Sequence, residues 1–419
     1  DGLPDFLCCF PYVNGGLFGR EYPVPHFSRQ ARRIIMECGA LNWKDINPDI
    51  FGSMIQAVVH SEQRGSLGMH YTSVTNIMKV IGPLFLDDLR EAFAKAGKTK
   101  EKLKGLLARL RRIRIFDPAC GSGNFLIIAY KELCRLEIDI LKKLQGPQKS
   151  FKFMSNIKLT QFYGIELDDF AHETAKLSLW LAEHQMNMAF REVFGEAKPT
   201  LPLQDGGNIV CGNATRLDWE GVCPNDEGGE VYVLGNPPYL GGKFQSKEQK
   251  QDMKFSFHGQ KKIGELDYIS CWFIKSAEYI STTHYSCAFV TTSSICQGSQ
   301  VHQLWPLVFN KNIEITFAHK PFKWSNNAKS NAQIICSIIG ISGRDKKVKY
   351  IFDSGVAKKV KYISAYLTQG SNCIVRQSLR SISNFPKILT GNSPYDGGNL
   401  LLSTEQKKIL FVISQGLVN

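Results

Sequence analysis

Several familiar constellations are missing from these 419 residues, and each absence closes off a class of function. No run approaches the roughly 18 unbroken apolar residues of a membrane-spanning helix; the longest candidates, around Phe125 to Tyr130 and Ile334 to Ile341, are short. There is no basic-then-apolar leader, and the first residue is Asp1, so the sequence reads as a fragment cut at both ends. Twelve cysteines occur, yet none stand as the Cys-x-x-Cys pairs of a structural zinc site, and no metal is expected. Free thiols in a reducing cytoplasm are the expectation. No Gly-x4-Gly-Lys-Ser/Thr phosphate loop is present, which disfavours ATP. No internal repeat and no low-complexity tract is found.

What is present describes a packed protein. Hydrophobic residues make up 43% and charged residues 21%, an ordinary globular balance. The formal net charge is +13, which predicts attraction to a polyanion through counterion release and makes nucleic acid the favoured partner. Much of the excess sits in Lys95 to Arg114, where a solvated helix face is an equally good account.

The first 60 residues read as a Pro/Gly/aromatic loop followed by helical stretches around Ser28 to Gly39 and Phe51 to His60, an N-terminal module. Asp87 to Arg112 is helical with an interruption at Gly97. It delivers the chain to a short apolar strand, Ile113 to Phe116. Residues Phe125, Ile128, Ala129, Leu133, Leu136, Ile140 and Leu144 recur at three- and four-residue intervals, the spacing of one buried helix face. Strands follow at Phe162 to Leu167, Ile209 to Cys211, Val231 to Leu234, Cys287 to Thr292, Ile313 to His319 and Ile334 to Ile341, with an amphipathic helix at Phe170 to Asn187. This alternation predicts an α/β fold with a doubly wound, mostly parallel sheet, whose ligands bind at the carboxyl ends of the strands. The expected division is a module over 1–60, a catalytic domain over 61–345, and a linker segment over 346–419 leading to an absent domain.

Three motifs fall at strand ends. Phe116-Asp-Pro-Ala-Cys-Gly-Ser-Gly-Asn-Phe-Leu126 is a strand, a tight turn and a helix start, in which Gly121 and Gly123 supply unusual backbone angles and let a ligand approach the main chain. It lacks the third glycine of the dinucleotide fingerprint, so NAD is disfavoured. Tyr163-Gly-Ile-Glu-Leu-Asp168 ends a second strand with Glu166, where a carboxylate can accept both hydroxyls of a ribose. A third strand ends at Gly212-Asn213-Ala214, placing Asn213 where an amide can meet the adenine edge of a cofactor.

The fourth strand runs into Gly235-Asn236-Pro237-Pro238-Tyr239. Two consecutive prolines hold the backbone extended and remove two amide donors, leaving carbonyls free to accept. Asn236 can offer its side-chain oxygen and Pro237 its carbonyl, so both hydrogens of an exocyclic amine are held and its lone pair faces a sulfonium methyl. Tyr239 can stack on the ring being methylated.

Together these residues resemble the amino-methyltransferases of DNA. Phe116 to Leu126 is similar to their motif I, Tyr163 to Asp168 to motif II, and Leu234 to Tyr239 to motif IV. Gly68-Met-His-Tyr-Thr-Ser73 resembles the upstream motif X, and the order, X before I before IV, is that of the gamma class. The resemblance implies S-adenosylmethionine as cofactor, with Tyr71 and Thr72 lining its methionine end. It also places Asp117 near the methionine amino group, with Ala119, Gly121, Gly123, Glu166, Leu167 and Asn213 among the cofactor contacts. Many relatives carry Asp where Asn213 stands.

Phe51-Gly-Ser-Met, Gly82-Pro-Leu-Phe-Leu-Asp-Asp and Pro321-Phe-Lys-Trp-Ser-Asn-Asn-Ala-Lys329 extend the likeness to the MmeI-like, type IIL, restriction-modification enzymes. That family places a nuclease domain before this region and a target-recognition domain after it; no Pro-Asp…Glu-x-Lys constellation is found, so cleavage is not expected of this segment. Phe322 and Trp324 resemble motif VIII, whose aromatic faces the flipped base. The implied activity is methylation of adenine N6 in double-stranded DNA through Asn236, Pro237, Pro238 and Tyr239. Cytosine N4 methylation, a protein-glutamine methyltransferase and a silent DNA-binding subunit are the alternatives.

Overall fold

The computed structural model describes residues 26–40, 72–145, 155–195, 207–224, 228–281, 285–324, 334–345, 348–371, 373–376 and 403–407. The chain divides into two units, Asp1–Val375 and Arg376–Asn419. The first contains a nine-stranded sheet: β1 Ile113–Asp117, β2 Phe162–Glu166, β3 Asn208–Cys211, β4 Glu230–Gly235, β5 Ser286–Thr292, β6 Ile313–Trp324, β7 Ile334–Gly343, β8 Lys349–Asp353 and β9 Val356–Val360. Their spatial order is β3-β2-β1-β4-β5-β7-β6-β8-β9. The first five are parallel neighbours, β7 runs antiparallel between β5 and β6, β8 is parallel to β6, and β9 is antiparallel to β8. Strand order reverses between β1 and β4, the place where an open α/β sheet opens a crevice.

Ten helices can be described: α1 Arg29–Gly39, α2 Val74–Ile81, α3 Asp87–Ala96, α4 Lys100–Leu110, α5 Asn124–Gln145, α6 Asp169–Phe194, α7 Trp219–Val222, α8 Lys247–Ser256, α9 Ser270–Ile280 and α10 Gly298–Phe309. Strand residues alternate between two cores. Ile115, Phe162, Leu234, Val290 and Ile338 face one, which α2 to α6 cover. Phe116, Ile165, Val233, Phe289 and Ile339 face the other, beneath α9 and α10. Each such side chain, fully removed from water, contributes about 1.5–3 kcal/mol, and the two-sided burial explains why these strands read as short apolar runs.

Gly97 ends α3 with φ +56°, as its position in the sequence suggests. The expected helix face of α5 is buried from Phe125 to Ile140, with Leu144 packed at its rim. One expectation needs correction: residues 349–360 lie in the sheet as β8 and β9, not in a linker beginning at 346. A helix that the sequence analysis did not assign covers Val74–Ile81, continuing through a π-helical turn, Gly82–Leu86, into α3. Pro83 has no N–H to offer the Lys79 carbonyl four residues earlier; His319 Nε2 reaches that oxygen at 3.0 Å instead. The expected helix at 51–60 lies outside the described residues. Among the described residues, no helix is long and apolar enough to cross a membrane.

Candidate functional site

The glycine turn, the acid at the end of β2 and the loop after β4 meet at the carboxyl edge of the sheet, on either side of the strand-order reversal. The turn is built by local bonds: Cys120 N donates to the Ile165 carbonyl at 3.1 Å and Gly123 N to the Cys120 carbonyl at 2.8 Å. Gly121 and Gly123 have φ of +54° and +84°, the left-handed region that glycine enters without strain. From α9, Trp272 Nε1 donates to the Pro118 carbonyl at 3.1 Å and fixes the turn from the opposite core.

Asp117 closes β1. Its side chain is 1% exposed; Oδ1 accepts from Ala119 N at 3.0 Å, and Oδ2 is buried with no partner. Burial pushes its carboxyl up to about 8, with the nearby Glu166 charge adding to the rise against the Ala119 bond. Gly235, at the end of β4 with φ +150°, admits this carboxylate: a Cβ there would lie 2.4 Å from Asp117 Oδ1. The first and fourth motifs therefore touch through a backbone that tolerates no side chain.

Glu166 is held by backbone donors, Gly121 N to Oε2 at 2.8 Å and Asp168 N to Oε1 at 2.9 Å, and burial raises its pKa. It clamps the glycine turn before any ribose arrives, leaving only the second lone pairs of its oxygens for hydroxyls. Leu167 beside it is 59% exposed, an apolar face without a cover.

Asn236 follows β4. Its Nδ2 donates to Thr72 Oγ1 at 3.3 Å, while Oδ1 is buried without a partner. Thr72, itself buried, holds the nitrogen end of the amide in this orientation and leaves the oxygen end unmatched. Pro237 is buried and Pro238 half-buried. Tyr239 packs against both cores, and its hydroxyl lies 3.9 Å from Cys336 Sγ on β7. Phe322 pairs with Cys336 across the β6–β7 ladder, so the two expected base-facing aromatics converge on one cysteine. Lys79 Nζ sits 4.2 Å over the Phe322 ring. Trp324 ends β6, and its side chain, like Tyr71, falls outside the described residues.

Asn213 is used locally. Its Oδ1 accepts from Thr215 N at 2.9 Å and Thr215 Oγ1 at 2.7 Å, and Nδ2 donates to Asp252 Oδ2 at 3.0 Å. One amide hydrogen is left for a ligand.

Asp267 is a site residue that sequence reasoning missed. It is buried, and it accepts from Leu240 N at 2.8 Å, Ile269 N at 3.3 Å and Thr292 Oγ1 at 3.3 Å, tying the residue after Tyr239 to the end of β5. Burial raises its pKa. At the ends of β2 and β3, where Cys211 Sγ lies 3.9 Å from the Leu167 carbonyl, Asp169, His172 and Cys211 bring ligand-type atoms within 4.8 Å of one another, with His172 Nε2 3.1 Å from the Ile209 carbonyl.

The arrangement offers two buried carboxylates and an unmatched amide oxygen. It suits a cation and an amine.

Comparison with known proteins bears on this geometry. DNA methyltransferase A of Bacillus subtilis (strain 168) is 54% identical over 407 residues, covering 96% of this chain and 46% of that protein. A putative type II restriction enzyme and methyltransferase of Methanocaldococcus jannaschii is 32% identical over 219 residues, covering 41% of this chain and 18% of its own. The solved structure of the type IIL restriction-modification enzyme MmeI in complex with DNA superposes with a TM-score of 0.90 at 39% identity, over 98% of this chain and 56% of that one. The chain thus spans less than half the length of the curated relatives it matches. The family model described as "MmeI, DNA-methyltransferase domain" matches residues 93–353, from α3 through β8, and the chain belongs to that family.

Proposed function

We propose that this chain transfers a methyl group from S-adenosylmethionine to the N6 amine of an adenine flipped out of double-stranded DNA, as the modification part of a longer restriction-modification enzyme. Target-recognition and nuclease domains belong, on this reading, to the rest of the full-length protein. The observation that carries it is a pair of buried acceptors without partners, Asp117 Oδ2 and Asn236 Oδ1, at the ends of neighbouring parallel strands. An unmatched buried acceptor costs about 1–3 kcal/mol, so each position favours a ligand that brings a donor.

The residues fit the cofactor. Asp117 Oδ2 suits an ammonium group, the Glu166 oxygens retain lone pairs for ribose hydroxyls, and Leu167 offers an exposed apolar surface to an adenine ring. Thr72 and Tyr71 would flank the methionine end, with Ala119, Gly121 and Gly123 forming the floor and the free Asn213 hydrogen meeting the adenine edge. When bound, S-adenosylmethionine supplies a methyl group activated on a sulfonium centre.

The chain's own part is orientation. Thr72 holds the Asn236 amide so that Oδ1 accepts one amine hydrogen, and the Pro237 carbonyl accepts the other. With both hydrogens held, the nitrogen lone pair has one free direction, and alignment does the work of catalysis. As the N–C bond forms and the S–C bond breaks, with S-adenosylhomocysteine as the leaving group, the same two oxygens stabilise the positive amine, which then loses one held hydrogen as a proton to solvent. Flipping the base costs a few kcal/mol; stacking on Tyr239 and on Phe322 or Trp324 offsets much of it, at about 1–3 kcal/mol per base.

The test is to incubate the full-length protein with plasmid DNA and labelled cofactor, then digest the DNA and identify the modified nucleoside by mass spectrometry. N6-methyladenine is expected. N4-methylcytosine as the dominant product would overturn the choice of base, and unlabelled DNA would overturn the reading.

A further inference from the structure

Five residues past Tyr239 stands Phe244, 80% exposed, the most exposed large apolar side chain among the described residues. It does not hang from a slack loop. Gln245 is buried and its Nε2 donates to the carbonyls of Leu240 and Leu266, both at 2.9 Å, while Tyr268 N donates to the Leu240 carbonyl at 3.0 Å. Phe244 N closes a turn onto the Gly241 carbonyl at 2.9 Å. At Gly242 the loop packs so tightly on the next segment that a Cβ would lie 2.1 Å from the Gly264 carbonyl oxygen. Asp267 holds the same segment from below through Leu240 N. Loop and anchors fix the backbone on both sides of Phe244 and leave its ring in solvent.

The surroundings are basic. Lys243, Lys247, Lys250, Lys254, Lys261 and Lys262 are exposed within twenty residues of chain. The acids among and beside them are Glu248, which is exposed, Asp252, which is buried and paired with Arg216 at 2.6 Å, and exposed Glu265, whose charge is met by Lys243, so the lysines outnumber the exposed acids six to two. A rigidly presented apolar side chain amid cations, within about 17 Å of Tyr239 along the chain, matches a duplex: phosphates for the lysines and an opened base step for the ring.

We propose that Phe244 is a wedge that enters the DNA duplex beside the flipped adenine, with the surrounding lysines engaging the flanking phosphates. This rests on the methyl-transfer reading above. Extrusion of a base leaves its former neighbours unstacked, and an aromatic ring in that space recovers part of the loss. Phe244 thereby lowers the cost of flipping without touching the reacting atoms. It is a positioning residue.

The experiment uses the full-length protein and two duplexes carrying a methylation site mapped by sequencing of modified bases, one fully paired and one with an abasic position opposite the target adenine. On the paired duplex Phe244→Ala should lose about ten-fold in kcat/KM and Phe244→Trp should retain activity. On the abasic duplex, where flipping is already easy, the alanine variant should come within about two-fold of wild type. An equal loss on both duplexes would overturn the wedge and point to a protein segment packed over Phe244, as would an alanine variant with no loss on either. Wild-type protein that methylates neither duplex would overturn the methyl-transfer reading itself, and the wedge with it.

Discussion

Binding of S-adenosylmethionine at pH 7 should expel a proton from Asp117. In the free protein the carboxyl is 1% exposed and pushed up to about 8, chiefly by burial, so at pH 7 it is mostly protonated. An ammonium group against Oδ2 requires the carboxylate. Binding therefore lowers the pKa and releases most of a proton at pH 7. Holding the acid neutral also weakens binding relative to a pH well above 8, by on the order of 1 kcal/mol. The direction follows from the raised pKa: release is large between the complex's low pKa and about 8, and fades above that, where the free protein is already ionised. The α-amino group of the ligand titrates near 8 itself, which makes pH 7 the informative point, because the ammonium is still mostly intact there.

Titration calorimetry at pH 7 in buffers of different ionisation enthalpy reads the proton directly. The observed heat should depend linearly on buffer enthalpy, with a slope corresponding to release of most of a proton, and Asp117→Asn should abolish most of that slope while weakening affinity. A buffer-independent heat in the wild-type protein, or the same slope in the variant, would remove Asp117 from the cofactor site.

Two further outcomes follow from the crevice. Asn236→Ala should reduce kcat by roughly a hundred-fold or more while the cofactor dissociation constant stays within a few-fold, and near-normal single-turnover rates would refute its place at the amine. Gly235→Ala should destabilise the fold by about 1–3 kcal/mol from backbone strain at φ +150° and weaken cofactor binding, because its Cβ collides with the Asp117 carboxylate. A wild-type denaturation midpoint together with unchanged affinity would show that β1 and β4 do not need that close approach.

The strands were legible because burial on both faces turns each into a short apolar run. The expected Ile209 to Cys211 and Val231 to Leu234 grow by only a residue or two at their ends as β3 and β4. β6 runs five residues further than its apolar stretch predicts, since register shifts between His319 and Phe322 carry Lys320 and Pro321 through the ladder. Periodicity has no signal for a bulge. At α2 the obstacle was Pro83, which ordinarily marks a helix end; the π-turn and the His319 bond that rescue the Lys79 carbonyl come from a residue 240 positions away. Asp267 stayed hidden for the same reason, since its partners Leu240, Ile269 and Thr292 are brought together only by the fold. The glycine turn, Glu166 and Asn236 could be placed at strand ends because each sits in a local run of residues.

Asn213 marks the place where the chain departs from the wider pattern, and its neighbours give a physical reason. The acid that many relatives are expected to carry here would lie beside Asp252, whose Oδ2 is 3.0 Å from Asn213 Nδ2. Asp252 already gathers Tyr268 Oη at 2.7 Å and Arg216 Nε at 2.6 Å, and is buried. Two carboxylates at that separation would repel strongly in a site with little water, and one would have to take up a proton. A neutral amide avoids the conflict and converts it into a bond. The negative charge of this corner is thus carried by Asp252, one layer back, where Arg216 compensates it. On the proposed reading, the remaining Nδ2 hydrogen of Asn213 is a donor for a ring nitrogen of the cofactor's adenine.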